Sequence, residues 1–354
     1  MIKRRITRKI FVGPVPVGGD APIPVQSMTK TDTRDIKATV RQIRGLERAG
    51  CEIIRLAVPD IEAARAIGSI KRQVSIPMIA DIHFDWRLAL ESISQGVNGL
   101  RINPGNIGAN WKVREVVKAA GECRVPIRIG VNSGSLEKDI LNKYGRPTPE
   151  ALVESAARHI AILEDMDFRL IKVSLKGSGV PLTVDAYRSF SERFDYPLHI
   201  GITEAGPPPV GVVKSAAGIG ILLNEGIGDT LRVSLTAPSR VEVEVAYEIL
   251  KALDLRQRGV NIISCPTCGR CNLDIIKIAK RIHKNLRGAS SPLTVAVMGC
   301  VVNGPGEARE ADFGIAGGKG EGIVFKKGKV IRRVKEEELI DALMEAVEED
   351  SDWR

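Results

Sequence analysis

Leu170-Ile171-Lys172-Val173-Ser174-Leu175-Lys176 is the stretch on which the fold turns. Alternate residues of a strand share a face, so Lys172, Ser174 and Lys176 form a polar stripe and Ile171, Val173 and Leu175 an apolar one. The pattern recurs: Asp81 with His83, Arg101 with Asn103, Arg128 with Asn132, and Arg232 with Ser234 and Thr236, while Arg55 stands alone in its run. From about residue 23 to 255 a unit repeats, made of a short apolar run, a polar residue or two and an amphipathic stretch. The runs are 24–29, 53–58, 78–83, 99–103, 127–132, 170–176, 198–203 and 230–235, and helix-like segments such as 35–49, 61–72, 113–122, 149–166 and 239–253 lie between them. Thr148 before Pro149 reads as an N-cap followed by Pro in the first turn. Strands alternating with helices imply right-handed βαβ units and a parallel sheet, and eight of them fit a closed (β/α)8 barrel, with a doubly wound open sheet as the alternative.

Parallel strands covered by helices are buried on both faces, so charge inside them is tolerable only where it lines a wet opening. The carboxyl ends of barrel strands provide one. Arg55, Arg101, Arg128, Lys172, Lys176 and Arg232 then face only Asp81 and Glu204 on the rim, a balance that suits a doubly phosphorylated ligand. Glu204 falls off the strand parity, just past its strand end, and is a candidate proton donor.

With 354 residues, 44% hydrophobic and 27% charged, the chain is globular. No apolar stretch is long enough to span a membrane, and no apolar core follows Met1-Ile2-Lys3-Arg4-Arg5, so a cytoplasmic protein is expected. The net charge of +9 favours acidic partners, but aromatics are only 4%, which argues against a stacking surface for nucleic acid. Composition shifts near 256–260, and we expect a barrel over 1–256 and a smaller α/β domain over 257–354. That domain should hold a helix near 273–285, a strand at 293–298, a Gly-rich loop at 303–306, a hairpin around 327–329 and a closing helix over 336–349. Four of the six cysteines, Cys265, Cys268, Cys271 and Cys300, crowd into it. Their spacing suits a structural zinc or a 4Fe-4S cluster, whereas Cys51 and Cys123 read as incidental thiols. A zinc-containing nucleic-acid-binding protein and a pterin-type barrel transferase with a structural metal module are the rival classes at this point.

Cys265-Pro266-Thr267-Cys268 and Cys300-Val301-Val302-Asn303-Gly304-Pro305-Gly306-Glu307 together resemble the 4-hydroxy-3-methylbut-2-enyl diphosphate synthase family of the non-mevalonate isoprenoid pathway. The likeness extends through Val25-Gln26-Ser27-Met28-Thr29, Ala80–Phe84, Leu100–Asn106 and Arg128–Gly134. It implies a TIM-type barrel followed by a cluster domain, without the extra domain inserted in plant enzymes. It implies an oxidoreductase acting on CH or CH2 groups, with a 4Fe-4S cluster on Cys265, Cys268, Cys300 and Glu307. The substrate would be 2-C-methyl-D-erythritol 2,4-cyclodiphosphate, with reduced flavodoxin or ferredoxin as donor. It also implies a homodimer in which one chain's cluster domain covers the other's barrel. Carried over by position, the substrate contacts are Arg55, His83, Arg101, Asn103, Arg128, Asn132, Lys172, His199, Arg232 and Ser234, and the catalytic groups are Glu204 and Glu307. Four thiolates would saturate a cluster, whereas one oxygen ligand leaves an iron open to act as a Lewis acid.

Overall fold

The computed structural model describes residues 2–269, 271, 273–287, 291–300, 308–318 and 320–350. The chain forms two compact units, Met1–Arg256 and Gln257–Arg354. In the first, a short antiparallel hairpin, β1 (Ile10–Val12) and β2 (Val15–Val17), precedes eight parallel strands. Six of these form one sheet in sequence order: β3 (Gln26–Met28), β4 (Ile53–Ala57), β5 (Met78–Asp81), β6 (Gly99–Ile102), β7 (Ile127–Asn132) and β8 (Ile171–Lys176). The remaining two, β9 (His199–Ile200) and β10 (Thr230–Leu231), pair with each other. Single bridges from Val173 to Leu198 and from Val25 to Leu231 join this pair to β8 and β3, so the sheet closes on itself.

A helix follows each strand: Ile36–Ala49, Ile61–Lys71, Trp86–Ser94, Asn110–Glu122, Pro149–Glu164, Val180–Arg193, Val210–Asn224 and Ser239–Ala252. This is the (β/α)8 barrel, with the open alternative excluded by closure. The side chains of Asp35, Asp60, Asp85 and Thr148 accept hydrogen bonds from first-turn amides, which explains where four of these helices begin.

The sequence pattern overestimates β9 and β10. Runs over 198–203 and 230–235 suggest full strands, yet each ladder is two residues long. Gly201 is the cause. Its φ of 157° and the carbonyl of Arg232, which would lie 2.3 Å from a Cβ there, mark a close passage of two chains that interrupts regular pairing.

The hairpin plugs the amino end of the barrel. Ile10, Val12 and Val17 pack on Ile53 and Ile79, with Val15 and Leu170 against them. The opposite, carboxyl end is left as the place for chemistry.

The second unit is a five-stranded sheet in the order β11 (Val260–Ser264), β12 (Leu293–Met298), β13 (Phe313–Gly317), β14 (Glu321–Lys326) and β15 (Lys329–Lys335). The first three strands run parallel and the last three antiparallel. Helices Ile275–Asn285 and Leu339–Glu348 bury Ile278, Ile282, Leu339 and Leu343 with Val295, Val297 and Ile315. The β14–β15 turn is Lys327-Gly328, with φ of 47° and 74°, as a two-residue hairpin loop requires. The closing helix is shorter than its sequence pattern, since Glu336–Glu338 forms a 3-10 turn. The expected loop at 303–306 lies outside the described residues.

Candidate active site: a cationic layer inside the barrel

Strand register assembles the site. Asp81 is the ladder partner of Arg101, Arg101 of Arg128, and Arg128 of Lys172. Ladder partners on neighbouring parallel strands share a face and sit about 4.8 Å apart, so these four ionisable residues line the barrel wall side by side. Two same-face positions higher, beyond the Gly130–Ser174 pair, Asn132 is opposite Lys176. Arg101, Arg128, Lys172 and Lys176 are all buried.

Two buried carboxylates contact cations of the site. Asp81 lies 3.2 Å from Arg101, 3.6 Å from Arg55 and 3.7 Å from His83. Burial alone would raise its pKa, but Arg55, the His83 hydrogen bond, Arg101 and Arg128 outweigh burial and hold the carboxyl well below its ordinary value. Asp81 is therefore an anion and not a proton donor. The second carboxylate is Glu242, which the sequence reading missed. It is 3.7 Å from Arg232 and 3.3 Å from Lys30, with its side chain 2% exposed. Glu204, counted on the rim from sequence, is instead exposed on the loop after β9, with a left-handed φ of 52°. This corrects the expected balance: Asp81 and Glu242 are the buried anions in contact with cations of the site, and buried Asp229, paired with Arg4 at 3.1 Å, acts on Lys172 from further away. Helical spacing carried a signal for Glu242, because it shares the buried face of Ser239, Ala246 and Ile249.

Several cations remain poorly satisfied. Arg128 donates to Ser174 Oγ at 3.1 Å, while its Nε and the Nζ of Lys172 have no hydrogen-bond partner. Burial, reinforced by Arg128, pushes the Lys172 ammonium down to about 7. Burial also lowers Lys176 and Arg128 far below their usual values, and Arg55 to about 10. Uncompensated buried charge costs several kcal/mol, so this layer is a stored demand for an anion. Gly130 makes room for it, since a Cβ there would lie 2.8 Å from Arg101 Nε.

The other sequence candidates fall around this layer. His199 is completely buried, with Nδ1 2.8 Å from Thr230 Oγ1 and Nε2 unpartnered. Burial and the surrounding cations Lys176, Arg128 and Lys172 depress its pKa well below the usual value, which keeps the ring neutral. Asn103 is buried with Oδ1 unpartnered, Asn132, Arg232 and Ser234 are half-buried, and His83 is exposed at the mouth. Beside Asp81 and His83 opens a cavity of about 440 Å³ whose apolar wall includes Met28, Val58, Phe84 and Leu88. Met28 also went unread. Its sulfur accepts from Arg55 Nε and Nη2 at 3.2 and 2.9 Å.

In the second unit, β11 and β12 are parallel neighbours with Ser264 opposite Val297. Cys265 and Cys300 therefore leave the same end of adjacent strands. The Gly299 amide donates to Cys265 Sγ at 3.3 Å, a contact suited to a thiolate. Cys271 Sγ instead donates to the Leu273 carbonyl at 3.1 Å. Cys265, Cys268, Cys271 and Cys300 form no disulfide, and neither do buried Cys51 and exposed Cys123. Among the described residues no three His, Cys, Asp or Glu side chains are gathered around one metal position, and Glu307 lies outside them. No helix among the described residues is long and apolar enough to cross a membrane.

Fold and layer together define a TIM-barrel protein with a cationic interior, followed by an α/β module bearing clustered thiols. Residues 7–247 match the GcpE TIM-barrel domain and residues 261–349 the GcpE protein C-terminal domain. The chain is 67% identical to the 4-hydroxy-3-methylbut-2-en-1-yl diphosphate synthase (flavodoxin) of Thermodesulfovibrio yellowstonii, over 98% of this chain and 99% of that one. It is 63% identical to the same-named protein of Geobacter sulfurreducens, over 97% of each. The chain thus belongs to the GcpE family, the 4-hydroxy-3-methylbut-2-en-1-yl diphosphate synthases of the non-mevalonate pathway, an oxidoreductase family. Among solved structures, the dihydropteroate synthases of Yersinia pestis and Stenotrophomonas maltophilia are similar, each with a TM-score of 0.50 over 70% of this chain and 98% of theirs. At 12% and 14% identity, this likeness is one of barrel fold alone.

Proposed function

We propose that this chain reductively opens and dehydroxylates 2-C-methyl-D-erythritol 2,4-cyclodiphosphate to 4-hydroxy-3-methylbut-2-enyl diphosphate. The observation that carries the reading is the line Arg101, Arg128, Lys172, with Lys176 above it, in which Asp81 pairs with Arg101 while Glu242 is taken up by Arg232 and Lys30. A cyclic diphosphate supplies the anionic charge that this layer lacks, and two guanidinium forks suit its non-bridging oxygens. Arg55 and Arg232 flank the diphosphate, while His83, Asn103, Asn132, Ser234 and neutral His199 orient the hydroxyls. Since Asp81 stays ionised, the proton that leaves with the hydroxyl as water comes from another acid, and the Glu204 carboxyl is the candidate.

Cys265, Cys268, Cys300 and Glu307 would hold a 4Fe-4S cluster. The shared strand ends of Cys265 and Cys300 and the amide on Cys265 Sγ fit that donor set, and Cys271, turned to the Leu273 carbonyl, fits being outside it. Such a cluster supplies electrons and, at an iron without a cysteine ligand, a Lewis acid. Reduced flavodoxin is the donor we assign, on the name of the relatives. We also read the enzyme as a cytoplasmic homodimer.

Protein purified without oxygen should be brown, contain iron and sulfide, and turn over the cyclic diphosphate with reduced flavodoxin. A colourless zinc protein inert toward that substrate would overturn the reading. Glu204→Gln should bind substrate nearly as wild type and lose roughly a hundredfold or more in kcat, the usual scale for general-acid catalysis. Undiminished kcat would remove Glu204 from the role.

A further inference from the structure

The barrel has a weak seam. Between β10 and β3 the ladder is reduced to the single Val25–Leu231 bridge, yet Arg232 projects from this edge. What joins the two loops above the seam is side-chain chemistry centred on Glu242. Its Oε1 accepts from the Leu235 amide at 3.2 Å and faces Lys30 Nζ at 3.3 Å, while its Oε2 accepts from Ser27 Oγ at 3.5 Å and faces Arg232 Nη2 at 3.7 Å. Lys30 also donates to the Leu235 carbonyl at 3.3 Å and to that of Ala237. Ser239, on the same helix as Glu242, donates to the Met28 carbonyl at 3.1 Å. One buried carboxylate thus bridges residues 27–30, at the end of β3 and just past it, to residues 232–237 after β10.

We propose that Glu242 is a positioning residue that latches this seam and aims Arg232 at the bound diphosphate. The proposal rests on the functional reading above. Arg232 has little else to fix it: its Nε has no hydrogen-bond partner, and Nη1 reaches only the Met28 sulfur, at 3.7 Å. Met28 also receives Arg55, so Glu242 and Met28 between them set two of the flanking guanidiniums. Electrostatics and positioning make opposite predictions. Removing a carboxylate raises the local positive potential and, by charge alone, tightens anion binding. If Glu242 aims Arg232, binding weakens instead.

The test is calorimetric titration of the full-length protein with inorganic pyrophosphate, comparing wild type, Glu242→Gln, Arg232→Met and the double variant. Glu242→Gln should weaken binding about tenfold, and the same change should have no effect once Arg232 is Met. Unchanged or tighter binding overturns the proposal. So does a loss that persists in the Arg232→Met background, which would mark general damage rather than action through Arg232. Lys30→Met alters the partly exposed end of the latch and so guards against a Glu242 variant that fails to fold. It should give a smaller loss of the same sign, and unchanged affinity would count against the latch. Arg128→Met separates the two readings. Were it to bind pyrophosphate as wild type does, the functional reading would fail whatever Glu242 does.

Discussion

The floor of the barrel and the layer above it are built from the same strands and the same face, two residues apart. On β4 the floor residue is Ile53 and the next inward residue is Arg55, and on β5 the pair is Ile79 and Asp81. The floor is closed by Ile10, Val12 and Val17 into a dry apolar cluster. Roughly 7 Å higher, that being two residues of strand, the wall turns to Asp81, Arg101, Arg128 and Lys172. Barrel interiors are ordinarily filled with layers of branched apolar residues. Here the lower positions follow that rule and the upper ones break it, so the floor serves stability while the layer above sacrifices it for an anion.

The sharpest way to break that contrast is Arg128→Met. If the layer exists to bind, losing one buried cation should cost about 2–5 kcal/mol of pyrophosphate affinity, roughly thirtyfold or more by calorimetry. The ligand-free protein should at the same time become more stable, by about 1–4 kcal/mol in chemical denaturation, because a buried charge without full compensation has been replaced by a side chain that packs. A fall in both quantities would make the layer a structural ion network and erase the difference from the floor.

The legible parts of the molecule were those where a local pattern is repeated by neighbours. The sequence pattern gives β7 its observed bounds, and Arg128 and Lys172 stand out because a charge at an alternating position of a buried strand has few innocent explanations. Less legible were features that depend on distant chain. The β1–β2 hairpin, with Pro14 and Pro16 and an exposed Phe11, has no clear alternation, and it becomes a plug only when Ile53 and Ile79 are brought beneath it. Glu242 looks like one more acid of Glu242-Val243-Glu244, and only the helical wheel, not strand parity, separates it from half-buried Glu244. His199 is marked in the sequence only by the family resemblance, and its neutrality comes from burial among Lys176, Arg128 and Lys172 on other strands.

A gentler perturbation is pH. Lys172 titrates at about 7 in the folded chain, against about 10.4 for an unperturbed lysine. Between those values the unfolded chain binds more protons, so stability rises with pH through this window and the penalty for the buried ammonium is complete below it. Anion binding has the opposite sign, since it draws on the ammonium. Pyrophosphate affinity should fall as pH climbs from 7 to 9, by up to about tenfold per unit, with proton uptake visible as a buffer-dependent binding enthalpy. Lys172→Met should flatten both trends. If the wild-type trends survive that change, the proton belongs to a different group.

The smallest expected effect tests the floor. Ile10→Val removes one methylene from the plug, 2% exposed in the native chain, and should cost about 0.5–1.5 kcal/mol of stability. Ile10 belongs to the hairpin rather than to a strand that carries a cation, and its ladder partner is Val17. A slightly loosened plug therefore has no direct route to the guanidinium of Arg101 or Arg128, and distant changes of this kind usually act additively. Pyrophosphate affinity should stay within twofold of wild type while the denaturation midpoint drops. A matching drop in affinity would mean that the floor holds the cations in place, and that the two layers act as one unit.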